Sequence, residues 1–216
     1  NPAIDMNVTA DSVEKNVVSR TRDVVYTPNG KGLNVSFTLQ HFGIRAPILG
    51  FFGGFSGRYI IDGARGRACE VHPVMVDGIT RINTFVTCGP DEYKFPSAGC
   101  AVPRGRQLEM LELIDGLADL ECLVVSGSLP PQIEPTFYDE VIHHVHARGA
   151  EVVLDTSHAR LAELVEKRPL LIKPNDEEVA AIFGVDVKSE ADIVSALRLI
   201  HEHGCKNILL TLGERG

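Results

Sequence analysis

The sequence lacks several features that would assign it to a specialised class of protein. It contains no tryptophan, and none of its apolar runs approaches the roughly 20 residues that a membrane-spanning helix needs. Basic residues are also few, since 21 Lys and Arg stand against 29 Asp and Glu and give a formal net charge of -8. Such a chain has no general attraction for nucleic acid or an anionic membrane surface. Any anionic ligand must therefore be bound by a few local groups.

The cysteines give no sign of a disulfide framework or a zinc site. There are five, an odd number, and they are widely spaced without a C-x-x-C pair. The 216 residues are 44% hydrophobic and 23% charged, as in ordinary globular domains, so we expect a soluble, cytoplasmic protein. The sequence begins without Met and ends after an apolar, strand-like run. We therefore expect the protein to continue beyond both ends.

The second half of the sequence alternates short apolar runs with longer amphipathic ones, which is typical of βαβ units around a parallel sheet. The apolar runs predict buried strands at residues 122–125, 152–154, 170–172 and 208–210. The amphipathic segments predict helices near residues 134–147, 159–165, 177–183 and 189–203. Ser189 can cap the last of these helices and Gly204 can end it.

Polar residues follow each of the four predicted strands. They are Ser126-Gly127-Ser128, Asp155-Thr156-Ser157, Lys173-Pro174-Asn175 and Thr211-Leu212-Gly213. Because ligands of open α/β sheets bind at the carboxyl ends of the strands, these segments predict a site along one edge.

The first hundred residues show a different pattern. A helix is predicted at residues 34–42, with Val35, Leu39 and Phe42 on one face, and a buried strand follows at residues 47–52. Residues 13–26 and 70–95 have the character of antiparallel ribbon. We expect a small β-lid on an α/β body.

Three segments in this part of the chain suit a polar ligand. Gly30-Lys31-Gly32-Leu33-Asn34 precedes a helix, where backbone N–H groups attract anions or sugar hydroxyls, although a plain glycine turn would look the same. Arg81 offers a planar fork of donors for phosphate, and Asn83 lies on the same strand face. Asp5 could accept hydrogen bonds from two hydroxyls. The alternatives are a solvated strand charge for Arg81 and a turn or cap aspartate for Asp5.

The later segments suggest a nucleotide and a metal ion. Lys173 ends a strand, and Asn175 and Glu178 follow where carboxylate and amide oxygens could hold Mg²⁺ through its water shell. A helix cap with acidic residues is the alternative. The two glycines of residues 211–216 would let phosphates approach the backbone. His143, His144 and His146 cannot all share one helical face, so we favour a solvated helix end over a metal site.

Taken together, six segments resemble the ribokinase-like (PfkB-type) sugar kinases, most closely 1-phosphofructokinase and tagatose-6-phosphate kinase. The segments are residues 1–5, 30–35, 80–83, 126–131, 155–157 and 173–178, in the order that the family shows. The resemblance implies a three-layer α/β/α sandwich with a small antiparallel β-lid. Residues 1–216 would form a single domain that lacks its C-terminal part, with lid ribbons near residues 6–27 and 70–100. It also implies ATP and Mg²⁺ as cofactors and a homodimer formed through the lid.

The resemblance also implies roles for individual residues. Sugar hydroxyls and the phosphate of the substrate would contact Asp5, Gly32, Asn34, Arg81, Asn83 and Ser128, with Lys31, Arg20 and Lys94 as weaker candidates. ATP phosphates, the nucleotide and Mg²⁺ would be served by Lys173, Asn175, Glu178, Thr211, Gly213 and Gly216. Two departures stand out. Asn29 replaces a glycine usual in the family, and the Gly-Ala-Gly-Asp segment with the catalytic base is absent and is expected after Gly216.

From these residues we predict ATP-dependent phosphorylation of fructose 1-phosphate to fructose 1,6-bisphosphate. Tagatose-6-phosphate kinase and 6-phosphofructokinase activities are the alternatives within the family. A non-catalytic sugar-phosphate-binding protein is the alternative from another class.

Overall fold

The computed structural model describes all residues, Asn1–Gly216, and they form two compact units. The first unit comprises Asn1–Met110 and Leu129–Ile133, and the second comprises Leu111–Ser128 and Glu134–Gly216. None of the helices combines the length and apolarity that crossing a bilayer requires.

In chain order the first elements are β1 (Ala3–Ala10), β2 (Thr21–Asn29), α1 (Lys31–His41), β3 (Ile48–Gly53), α2 (Gly54–Arg65), β4 (Val71–Val76), β5 (Ile82–Cys88), β6 (Asp91–Phe95) and α3 (Arg104–Gly116). They are followed by β7 (Cys122–Ser126), α4 (Phe137–Ala147), β8 (Glu151–Asp155), α5 (Leu161–Val165), β9 (Leu171–Ile172), α6 (Asp176–Phe183), α7 (Glu190–Glu202) and β10 (Asn207–Ile208).

A four-stranded sheet of the first unit, ordered β2-β1-β5-β6, is called the β-lid below. Strand β1 pairs antiparallel with β2 and parallel with β5, and β5 pairs antiparallel with β6. The ribbon expected over residues 70–95 is therefore only partly formed. Its first part, β4, pairs in parallel with β3 in a separate two-stranded sheet. Val74 of β4 is fully buried, so this strand belongs to a core and not to a solvated ribbon.

Helix α1 buries a different face from the one that the sequence predicted. It begins at Lys31, and its buried residues are Leu33 and Ser36, with Phe37 packed against the core. Phe42 lies just beyond the helix and is 72% exposed. Because Phe42 is mostly exposed, it does not form a buried face with Val35 and Leu39.

Helix α2 was not predicted, because glycines at three of its positions weaken the helical signal. It packs closely on β3, where Phe52 is fully buried. A Cβ atom at Gly57 would lie 3.0 Å from Phe52 Cβ and 3.1 Å from Thr80 Oγ1. Thr80 Oγ1 accepts a hydrogen bond from Gly53 N at 2.8 Å, and Ser56 Oγ donates to Thr80 O at 2.7 Å. These contacts fix the start of α2 against the loop that leads into β5.

The second unit contains an all-parallel sheet ordered β10-β9-β8-β7, with strands at the four predicted sites. Val152 and Leu154 alternate into a core that also includes Val145, Ile172 and Ile200. Strand β7 differs from the expected buried strand, since it lies at the edge of the sheet and Val124 is 36% exposed.

Side-chain caps set the starts of two helices in this unit. Ser189 and Asp192 form a capping box at α7, as the sequence indicated for Ser189. Asn175 and Glu178 form a second capping box at α6, and Gly184 ends that helix in the left-handed conformation at φ 69°.

We expect Gly57→Ala to lower the free energy of unfolding by about 1–3 kcal/mol, because the added methyl group overpacks the contact between α2 and β3. Gly105→Ala in α3 is the matched control, since no atom lies within 4 Å of its Cβ position. It should be neutral or slightly stabilising. Urea denaturation of both variants measures the difference, and equal midpoints would contradict the close packing.

Candidate functional site

Asp5 and Asn83 form the buried centre of a polar cluster on the β-lid. They are register partners on the parallel strands β1 and β5, and Asn83 Nδ2 donates to Asp5 Oδ1 at 2.9 Å. Their exposed fractions are only 8% and 9%. Ser97 N in turn donates to Asn83 Oδ1 at 3.1 Å. Asp5 is therefore a mid-strand carboxylate and not the turn or cap residue of the alternative interpretation.

Asn29 connects this pair to helix α1. Its Nδ2 donates to Asp5 Oδ2, and its Oδ1 accepts from Gly30 N at 2.6 Å and from Asn34 Nδ2 at 2.8 Å. Asn29 thus joins the Asp5–Asn83 pair to Asn34, although the sequence marks it only as a departure from a family pattern. The feature of the sequence that could have identified Asn29 is its amide side chain, which lies directly before the glycine loop.

The amino end of α1 lies beside this cluster and is open to a ligand. Gly30 has φ 150°, and a Cβ there would lie 3.2 Å from Leu33 Cδ1, so glycine is required. No side chain caps the helix, and its first turn has no acidic residue. Gly32 differs, because its Cβ would meet no protein atom within 4 Å. The chain's own packing does not require glycine at position 32, whereas close approach of a ligand would.

Arg81 is half-buried and bound to backbone carbonyls, so it is not a solvated strand charge. Its Nη2 donates to Asn1 O at 2.9 Å and its Nη1 to Ser97 O at 3.4 Å, while its Nε is buried without a partner. Burial lowers the pKa of Arg81, and the charge of Asp5 opposes that change. A buried guanidinium with an unsatisfied N–H fits an anionic ligand, which would supply the missing acceptor.

Two of the three weaker candidates for the substrate pocket, Arg20 and Lys94, make no hydrogen bond to the cluster. Lys94 Nζ pairs with Glu92 Oε2 at 2.8 Å on the exposed strand β6, and Arg20 is exposed just before β2. Ser128 is an exposed residue of the second unit, in the loop after β7.

In the second unit, the parallel sheet brings the strand exits to one edge, as predicted from the sequence. Lys173 Nζ lies 3.2 Å from Asp155 Oδ1, which joins the exits of β9 and β8. Gly127 N donates to Asp155 O at 2.8 Å, which joins the exit of β7 to the same residue. The side chain of Asp155 is 15% exposed and that of Lys173 is 32% exposed, so the pair remains accessible to an anion.

Tyr138 contacts the loop after β7 through its hydroxyl group. This role was not predicted from the sequence. Its hydroxyl lies 3.2 Å from Gly127 O and 3.3 Å from Thr156 Oγ1, so it holds two strand exits together. Burial raises the pKa of Tyr138, which keeps the hydroxyl protonated. Ser126 Oγ, at the end of β7, is buried without a partner.

The side-chain oxygens near the start of α6 could hold a magnesium ion only indirectly, through its water molecules and bound phosphate oxygens. Glu178 Oε2 accepts from Asn175 N at 2.9 Å, and Asn175 Oδ1 accepts from Glu178 N at 2.7 Å, so both side chains serve the helix cap. No group of three His, Cys, Asp or Glu side chains in the chain could hold a metal ion. Mg²⁺ commonly keeps several waters and few protein ligands, which suits a single carboxylate.

The last predicted segment lies beside the start of α6. Thr211 N donates to Pro174 O at 3.0 Å and forms an isolated parallel bridge with Asn175. Gly213 and Gly216 have φ values of 58° and 122°, and neither has an atom within 4 Å of its Cβ position. The structure thus brings the predicted nucleotide loop next to Asn175, with free space at the Cβ positions of its two glycines.

The three histidines of α4 do not form a metal site. His144 Nδ1 lies 2.9 Å from the carboxylate of Asp115, and His143 is exposed.

Comparisons with known proteins point to one family. A family model described as pfkB family carbohydrate kinase matches residues 2–216. The chain is 43% identical over 213 residues to D-tagatose-1-phosphate kinase of Klebsiella oxytoca, which covers 99% of the chain and 70% of that protein. It is 33% identical over 219 residues to 1-phosphofructokinase of Haloferax volcanii, a match that covers 100% of this chain and 70% of that protein. The structure of phosphofructokinase-2 of Escherichia coli, solved with substrates and products, superposes with a TM-score of 0.91 at 24% identity. The match covers 100% of this chain and 71% of that one, and this similarity shows the fold.

We expect Gly32→Ala to leave folding intact and to weaken ligand binding. Alanine is the better helix former, so the free energy of unfolding should stay equal or rise. The methyl group would occupy the space in front of the helix, and we expect affinity for a sugar phosphate to fall about tenfold or more, equivalent to about 1.4 kcal/mol. Calorimetric titration of the complete gene product measures this change.

Gly105→Ala is the control for that titration, because it adds a methyl group to the second residue of α3 as Gly32→Ala does to the second residue of α1. Its affinity should match that of the unmodified protein. Equal affinities for both variants would show that no ligand approaches Gly32.

Proposed function

Because the chain belongs to the pfkB family of carbohydrate kinases and is a sugar-phosphate kinase, we propose that its substrate is a ketohexose 1-phosphate. D-tagatose 1-phosphate is the first candidate, since a relative at 43% identity carries that name. D-fructose 1-phosphate, which the sequence placed first, becomes the second candidate and is supported by the 33% identical 1-phosphofructokinase. The γ-phosphoryl group of ATP would pass to the 6-hydroxyl, which is the remaining primary hydroxyl of either sugar.

The observation that carries this proposal is the polar cluster on the β-lid. Asp5, Asn34 and Asn83 present carboxylate and amide groups suited to several sugar hydroxyls. An oxygen of the 1-phosphate would accept a hydrogen bond from the buried Nε of Arg81, which has no acceptor within the protein. Lys31 would add a positive charge at the start of α1.

The strand exits of the second unit are proposed to bind the nucleotide. Lys173 would exchange its ion pair with Asp155 for ATP phosphates, and Asn175 would contribute its amide group. The backbone of residues 211–216 would lie against the nucleotide, with Thr211, Gly213 and Gly216 at its turns. Mg²⁺, when bound, neutralises charge on the transferring phosphate, and Glu178 would hold one of its waters. No residue between Asn1 and Gly216 is assigned as the general base.

The proposed reaction would take place in the cytoplasm, where ATP is available. All five cysteines are free thiols, which suits a reducing compartment. Burial raises the pKa of the Cys69 and Cys205 thiols and so disfavours their reactive thiolate forms.

Steady-state kinetics of the complete gene product tests the substrate. We expect kcat/KM for D-tagatose 1-phosphate and D-fructose 1-phosphate to exceed the values for D-tagatose 6-phosphate and D-fructose 6-phosphate by about tenfold or more, because the phosphate contact selects its position. A preference for the 6-phosphates would contradict the proposal. Tight binding without turnover would indicate the non-catalytic binding protein instead.

The exposed apolar residues of the β-lid support a homodimer. Register places Tyr26, Met6, Thr84 and Phe95 in one row across the four strands, on the face opposite Asp5. Tyr26 is 49% exposed and Phe95 is 55% exposed. Aromatic side chains in one row across a sheet form a patch of the kind that association buries. We propose that two copies of the chain pair through this face.

Phe95→Asp tests the proposed dimer. Placing a charge in the buried interface should convert the dimer to a monomer at micromolar concentration, which sedimentation velocity measures. Phe42→Asp is the control, because Phe42 is 72% exposed at the end of α1 and should leave the mass unchanged. A Phe95→Asp variant that remains dimeric, or a monomeric wild type, would rule out this interface.

A further inference from the structure

Asn29 makes three hydrogen bonds with one side chain, and each goes to a different part of the candidate site. Its Nδ2 donates to the carboxylate of Asp5 on β1. Its Oδ1 accepts from the backbone of Gly30 at 2.6 Å and from Asn34 Nδ2 on α1 at 2.8 Å. The amide therefore bridges a strand and a helix that each present a polar side chain at the site.

The first consequence concerns the orientation of Asp5. One carboxylate oxygen accepts from Asn83 at 2.9 Å and the other accepts from Asn29, so both oxygens are held by amide donors. Because Asp5 as a residue is only 8% exposed, little water is available to replace either donor. Removing the amide of Asn29 would free the plane of the carboxylate to rotate about the single remaining bond.

The second consequence concerns the chemical group that Asn34 offers. Because its Nδ2 donates to Asn29, the opposite end of the amide, Oδ1, is the end turned away from Asn29. No protein group donates to that oxygen, and Asn34 is exposed. Asn34 therefore presents an acceptor to a ligand. Without Asn29 the amide could flip and present a donor in the same place.

We propose that Asn29 is a positioning residue that sets the discrimination between sugars differing at one hydroxyl. This inference rests on the proposed function, since it assumes that the cluster binds a ketohexose 1-phosphate. By fixing the plane of Asp5 and the acceptor of Asn34, Asn29 determines which hydroxyl orientations find a partner. D-tagatose and D-fructose are epimers at C4, so their 1-phosphates differ only in the orientation of the C4 hydroxyl.

The experiment compares wild type, Asn29→Ala and Asn29→Asp in the complete gene product, with kcat/KM measured for both C4 epimers. We expect the wild-type ratio of the two values to be about tenfold or more, and both variants to bring it close to unity. Asn29→Asp keeps the acceptors for Gly30 and Asn34 but places a like charge against Asp5. It is nearly isosteric with Asn, so it provides a folded variant should Asn29→Ala unfold.

Asn207→Ala is the matched control, because it also removes an Asn side-chain amide that donates a hydrogen bond, in this case to the backbone carbonyl of Leu170 at 2.8 Å in the second unit. Its ratio should equal that of wild type. Calorimetric titration with each epimer provides the corresponding ratio of dissociation constants without turnover. If the Asn29 variants lower kcat/KM equally for both epimers, the side chain of Asn29 has only a structural role, and this inference is overturned.

The outcomes separate this inference from the proposed function. Wild type that turns over the 6-phosphates in preference to the 1-phosphates would contradict the proposed substrate. Wild type that uses the 1-phosphates but keeps its epimer ratio in both Asn29 variants would contradict the role of Asn29 alone. A wild type without epimer preference in kinetics and in binding would likewise overturn that role.

Discussion

The parallel pairing of β1 with β5 is the constraint on which the candidate sugar site depends. It places Asp5 directly beside Asn83, so a buried carboxylate meets the amide that satisfies it. A carboxylate at 8% exposure is stable in this place only because hydrogen bonds replace the water it lost. Asn29 supplies the second of these bonds and extends the cluster to α1. The polar groups therefore have little freedom to reorganise when a ligand arrives.

The sequence was sufficient to predict the parallel sheet of the second unit and the family to which the chain belongs. Apolar runs at regular spacing predicted four strands, and Ser189 predicted the start of α7, because both signals are local. The resemblance to ribokinase-like sugar kinases is confirmed by the family match over residues 2–216, and the predicted α/β fold by a structural neighbour with a TM-score of 0.91. The predicted kinase activity follows from the same family. The roles of the individual site residues stay predictions.

The errors arise where structure depends on contacts between distant residues. Residues 71–76 were assigned to an antiparallel ribbon, yet they pair in parallel with β3, and no local pattern distinguishes the two arrangements. Helix α2 was missed because its packing needs glycine where a Cβ at Gly57 would contact Phe52, and glycine lowers helical propensity. Asn29 was noted only as a departure, since its three partners come together only in the fold. The candidate site residues could be named from the sequence because each is a polar side chain on a predicted strand or at a strand exit, which is a local signal.

The pairing of Ile4 with Ile82 also bears on the order of folding. Strands so far apart in the sequence must close a long loop before their contacts form, whereas the hairpin of β5 and β6 closes locally. The cluster of Asp5 and Asn83 therefore assembles only once this distant pairing is in place. A partly folded chain could already possess the hairpin and the helices and still have no affinity for sugar. If the cluster binds the sugar as proposed, substrate would bind only the finished sheet and would protect that sheet from opening.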